Sequence, residues 1–146
     1  MAGTPSSSRS SGPTQLAYAQ LVADVAISAV AEAAPDDVLS SGAVTYDGSR
    51  IAIEFFSPRV IVGATAGSFT LLNLWDDATD LGRLLTFSLA NVNAPAYGVR
   101  YLTPTAGAHT YRIRGWRVNS NGTVSAGAGA PTDDLPAYIR VAQAPA

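Results

Sequence analysis

The chain has 146 residues, enough for one domain, and a domain of about this size removes roughly 68–70% of its unfolded surface from water. Hydrophobic residues make up 47% and charged residues 14%, where about 25% charged is usual, so disorder throughout is excluded and a surface partly covered by other subunits is expected. Net charge is −2 with no cysteine and no lysine, which leaves no electrostatic footprint for nucleic acid or anionic membrane and excludes disulfides, thiolate metal sites, Schiff bases and a P-loop.

In chain order, residues 1–15 (MAGTPSSSRSSGPTQ) form a Ser/Gly/Pro tract without the apolar run of a secretory leader. Such composition cannot offset its own ordering entropy. It reads as an N-terminal arm preceding a domain at 16–146, with Thr4, Pro5, Ser6, Ser7, Ser8 and Arg9 as candidate partner-binding residues. Leu16–Ala34 mixes alanines with β-branched Val22, Val25, Ile27 and Val30. It predicts two short strands, near 16–22 and 25–31, before a turn at Pro35-Asp36-Asp37.

Strands then follow one another. Gly42–Tyr46 leads to Asp47-Gly48, a hairpin signal, and to Arg50–Phe56, where Ile51, Ile53 and Phe55 share one face. Ser57-Pro58 is expected to interrupt the run before Arg59–Val62. In Ser68–Trp75, Phe69, Leu71 and Asn73 alternate with Thr70, Leu72 and Leu74, so both faces are expected to be substantially covered, and Asp76–Asp80 reads as a polar turn. Further strands are expected at Gly82–Ala90, Tyr97–Leu102, His109–Val118 and Tyr138–Ala142. In His109–Val118, Tyr111, Ile113, Gly115 and Arg117 alternate with Arg112, Arg114, Trp116 and Val118. Eight or more short strands with regular turn signals, and no clear helix, predict an all-β sandwich, with the jelly roll as the architecture and an immunoglobulin-like sandwich as the alternative.

Catalytic signals are sparse. The single histidine, His109, has no G-x-S-x-G elbow beside it and no evident orienter. Asp76, Asp77 and Asp80 lack calcium-loop spacing and read as a solvated turn. Asn121-Gly122-Thr123 is a turn before it is a glycosylation sequon. The expected protein is therefore not an enzyme and uses no metal or cofactor. Arg112 and Arg114, set among Tyr111 and Trp116, read as arginine stems over aromatics or as partners of carboxylates across a subunit boundary. With Tyr138 these residues form the candidate interface.

The strings RYLTPTAGAHTYRIRGWRV (Arg100–Val118), NGTVSAGAG (Asn121–Gly129) and LPAYIRV (Leu135–Val141), with IEFFSPRV (Ile53–Val60) and NLWDDATDLGR (Asn73–Arg83) upstream, resemble small jelly-roll domains of tailed bacteriophages, especially those of actinobacteria. The resemblance covers about residues 16–143. Such domains serve as virion decoration or fibre proteins and are similar in architecture to trimeric tumour-necrosis-factor-like heads. The resemblance implies a homotrimer on the capsid surface, anchored by its arm to the major capsid protein or another virion protein, with neither nucleic acid nor membrane as partner. Two alternatives stand beside it. One is a tail-fibre or minor tail receptor-binding module. The other is a carbohydrate-binding β-sandwich that stacks sugars on Trp75, Tyr97, Tyr101 or Trp116.

Overall fold

The computed structural model describes residues 14–127 and 134–145. The described residues form two antiparallel sheets and no helix. The strands are β1 (Gln15–Gln20), β2 (Val25–Ile27), β3 (Asp36–Tyr46), β4 (Ile51–Ile61), β5 (Phe69–Asp76), β6 (Thr79–Phe87), β7 (Asn93–Leu102), β8 (Gly107–Val118), β9 (Gly122–Val124) and β10 (Tyr138–Gln143). The first sheet runs β1-β10-β4-β9-β2 with β7 on the far side of β4, and the second runs β3-β8-β5-β6. This is the jelly-roll sandwich that the strand spacing predicts.

Alternation builds the core. Ile51, Ile53 and Phe55 of β4 and Ile139 and Val141 of β10 point inward from the first sheet, all at most 1% exposed. Leu72 and Leu74 of β5 and Tyr111 and Ile113 of β8 meet them from the second sheet. Because β4 pairs through Phe56 with β10 and through Val60–Ile61 with β9, its outer end carries the small β9–β2 ribbon.

Four local expectations change. Pro35-Asp36-Asp37 is no turn: β3 starts at Asp36, whose Oδ2 accepts from the amides of Ser28 and Ala29 at 2.6 and 2.8 Å. Asp47-Gly48 joins the two sheets instead of closing a hairpin, since β3 pairs with β8 while β4 pairs with β10 and β7. Asp47 still makes a local turn by accepting from the Ser49 amide, and Gly48 supplies φ +90. Ser57-Pro58 bends β4 without ending it. A bulge lies between Ser57 and Val60, and the buried Ser57 hydroxyl donates to the Ser125 carbonyl at 2.8 Å. The first two strands are shorter than expected, ending at Gln20 and Ile27.

Candidate functional site: two unlike sheet faces

The outer face of the first sheet is aromatic. Alternate residues of four strands point outward: Tyr18 of β1, Tyr138 and Arg140 of β10, Glu54 and Phe56 of β4, and Tyr97 and Tyr101 of β7. Register places Tyr138 and Tyr97 on either side of Phe56, and Arg140 beside Glu54. The rings form a continuous surface, with Tyr18 stacked on Tyr138 at 5.5 Å between centroids and Phe56 tilted against Tyr138 at 5.7 Å. Arg50 lies over Tyr101 at 4.8 Å. Much of this aromatic area is open to solvent: Tyr97 is 55% and Tyr101 52% exposed. A shallow apolar groove runs among Tyr18, Phe56, Tyr97, Leu135, Pro136 and Tyr138.

One carboxylate organises the centre of that face. Glu54 accepts from the Tyr97 hydroxyl at 2.5 Å and from the Tyr138 hydroxyl at 3.1 Å, with Arg140 at 3.9 Å. The Glu54 bond raises the pKa of Tyr97 above the ordinary phenol value, because it must be broken or repelled when the phenol ionises. Burial, helped by Glu54, lifts Tyr138 to about 12.

The outer face of the second sheet is already covered by its own chain. Asn73, 1% exposed, sits at its centre. Its Oδ1 accepts from Arg83 Nε at 2.7 Å, and its Nδ2 donates to Glu32 at 2.8 Å and to Asp80 at 2.9 Å. Glu32 belongs to the connection between β2 and β3, so these bonds fasten that connection across the sheet. The Asn73 and Arg83 bonds also hold Glu32 below its ordinary pKa. Arg114 pairs with Asp37 at 2.7 Å and lies over the Trp75 ring at 4.7 Å, while Arg83 lies over Trp116 at 5.4 Å.

These positions divide the candidate interface. Arg112, Arg114 and Trp116 point outward from the second sheet, and Tyr138 points outward from the first, so they form no single patch. Tyr111 has to be withdrawn: it is wholly buried between the sheets, in phase with Ile113, and has no surface to offer a partner. The stacking candidates divide in the same way, with Tyr97 and Tyr101 open on the first sheet and Trp75 and Trp116 beneath arginines on the second. The arm residues Thr4, Pro5, Ser6, Ser7, Ser8 and Arg9 lie outside the described residues.

His109 does have an orienter. Its Nδ1 lies 2.8 and 3.0 Å from the two oxygens of Asp76, and its Nε2 lies 2.8 Å from the Thr105 carbonyl. Asp76 therefore ends β5 in an ion pair, not in a solvated turn. Asp77 also approaches this pair. Both ring nitrogens thus lie within hydrogen-bonding distance of oxygen atoms of the same chain. Separations of 33 residues to Asp76 hide the pairing from any motif search.

No protein-family model matches the chain, and no curated protein matches it. Among solved structures it is similar to the Eiger TNF from S. frugiperda, with TM-score 0.50 and 12% identity over 91% of this chain and 93% of that one. At that identity the likeness concerns the fold, a TNF-like jelly roll.

Proposed function

We propose that this protein is a structural component of a bacteriophage virion, a homotrimer that decorates the capsid and is anchored by its N-terminal arm to the major capsid protein or another virion protein. The phage assignment rests on the sequence strings described above. The observation that carries self-association is the contrast between the two outer faces. The second sheet buries Asn73 at its centre among Glu32, Asp80 and Arg83 of its own chain, whereas the first leaves Tyr18, Tyr97 and Tyr101 open around a polar centre. Exposed contiguous aromatic surface of this kind marks an interface, and aromatic residues are enriched in interface cores. Around a threefold axis, Glu54, Tyr138 and Arg140 would fix the orientation of three such faces, while the rings supply the buried area.

Light scattering of the full chain should give three copies of the 15.0 kDa subunit at micromolar concentration. Tyr97→Arg should shift the protein to monomers while leaving its β-sheet circular dichroism intact. A wild-type monomer at that concentration overturns the trimer. Immunogold labelling of intact particles tests the location: label on the head is expected, and label confined to the tail overturns the capsid assignment in favour of a tail module.

A further inference from the structure

We propose that His109 is a proton-operated latch that fastens the loop between β7 and β8 to the end of the sandwich when the ring is charged, and releases that loop when it is neutral. His109 shares its strand phase with Tyr111 and Ile113, and Asp76 shares its phase with Leu72 and Leu74. Both side chains therefore face inward and close one end of the core. Beneath them lie Tyr46 and Tyr111, with ring centroids 5.8 and 5.9 Å from the imidazole. The hydroxyls of both tyrosines are buried and have no hydrogen-bond partner among the described residues. Three segments meet at the imidazole: β5 through Asp76, the 103–106 loop through Thr105, and β8 itself. The turn after β5 is tied in by the Asp77 amide, which donates to the Thr110 carbonyl at 2.8 Å.

Hydrogen-bond chemistry decides the protonation state. The Thr105 carbonyl and a carboxylate at Asp76 can only accept, so the ring engages both at once when it is an imidazolium and both nitrogens donate. The Thr105 hydroxyl, 3.3 Å from Nε2, lies farther off than the carbonyl. The charged groups facing the ring are Asp76 and Asp77, and the other titratable neighbours are Tyr46 on β3 and Tyr111 on β8; the loop brings only Thr105. The Asp76 bond raises the pKa of His109 most, with the Thr105 carbonyl and the charges of Asp76 and Asp77 adding to it against desolvation. On losing one proton the ring keeps Nδ1–H toward the Asp76 charge. Nε2 then turns a lone pair on the Thr105 carbonyl at 2.8 Å, and the attraction holding the loop becomes repulsion.

The folded value lies above the unfolded one, so the latch is complete below about pH 6.5 and is lost as pH rises through the folded value. Because the chain has one histidine, its ring nitrogens can be followed without assignment ambiguity by nitrogen-15 NMR of the wild-type protein. At about pH 6 both should be protonated. Across the ring's titration, backbone order parameters at Thr105 and Ala106 should fall from about 0.85 to below about 0.6, while β4 stays unchanged. Asp76→Asn should move the transition to lower pH, and His109→Gln should abolish it. A ring that is neutral at about pH 6, or a loop whose order does not change as the ring titrates, overturns the latch. The wild-type titration decides the matter even if a variant fails to fold.

Discussion

Replacing Asn73 by alanine tests whether the covered face of the second sheet holds as described. The amide makes three side-chain bonds of 2.7–2.9 Å, all to charged groups. Bonds to charged groups contribute about 1.5–3 kcal/mol each when the partner is left stranded in the interior. Here the partners are not stranded, since Arg83 and Glu32 side chains are 35% and 46% exposed and rehydrate once Asn73 is gone. Discounting for that solvation leaves about 1.5–3 kcal/mol for the whole substitution, including the small cavity. Urea unfolding followed by the fluorescence of Trp75 and Trp116, which flank the site, measures it. Protein concentration should be held fixed, because self-association would add to apparent stability. A double-mutant cycle with Glu32→Ala should show that the two substitutions do not add. Asn73→Asp should be worse than alanine at neutral pH, because it sets a third carboxylate against Glu32 and Asp80. That excess should shrink as pH falls through the carboxylate range near about pH 4. If Asn73→Ala unfolds within about 0.5 kcal/mol of wild type, the network does not fasten the β2–β3 connection, and the asymmetry between the two faces loses its main support.

Gly115→Ala should destabilise by about 1–3 kcal/mol in the same urea assay, because its Cβ would stand 2.9 Å from Ile27 Cδ1 and 3.0 Å from Leu72 Cδ2, both wholly buried. Phenol ionisation, read by ultraviolet absorbance, should lag for Tyr46, Tyr111 and Tyr138. Burial raises Tyr46 to about 12, raises Tyr111 further, and together with Glu54 raises Tyr138 to about 12. The unfolded chain releases these protons first, so stability should fall as pH climbs beyond about 10 and the lagging tyrosines should ionise together with unfolding.

Period-two alternation made much of the fold legible. Ile51, Ile53 and Phe55 could be placed inward because every second residue of that run is apolar, and the number of such runs gave an all-β sandwich. Alternation is local, however, and says nothing about which strands become neighbours. Asp47-Gly48 carries the composition of a hairpin turn, yet its flanking strands belong to opposite sheets because β8 and β10, far along the chain, supply their partners. Tyr111 departs from its expected place at an interface for a related reason. Its phase opposite Arg112 was plain, but which phase faced the core depended on weighing Tyr111, Ile113 and Gly115 together against three residues with two arginines. Pairs that bridge long separations left no trace at all: Asn73 meets Glu32 across 41 residues and His109 meets Asp76 across 33. An asparagine within an otherwise apolar strand was the one available hint, since Asn is depleted in strands unless its amide is satisfied.

The two outer faces began with similar raw material, since each carries aromatic rings, arginines and acidic groups. What separates them is where the chain runs between strands. The β2–β3 connection crosses the second sheet and brings Glu32 to Asn73 and Arg83, so Arg83 is paired within the subunit and both Trp rings end beneath guanidinium groups. No described connection crosses the first sheet in this way. Glu54 there gathers two phenols and approaches Arg140, which fixes the rings in place and so lowers the entropy lost when another surface settles on them. A fixed, partly open aromatic face is costly to leave in water, and a second copy of the same face is the partner always present at matching concentration. This argues for closed symmetric association through the first sheet.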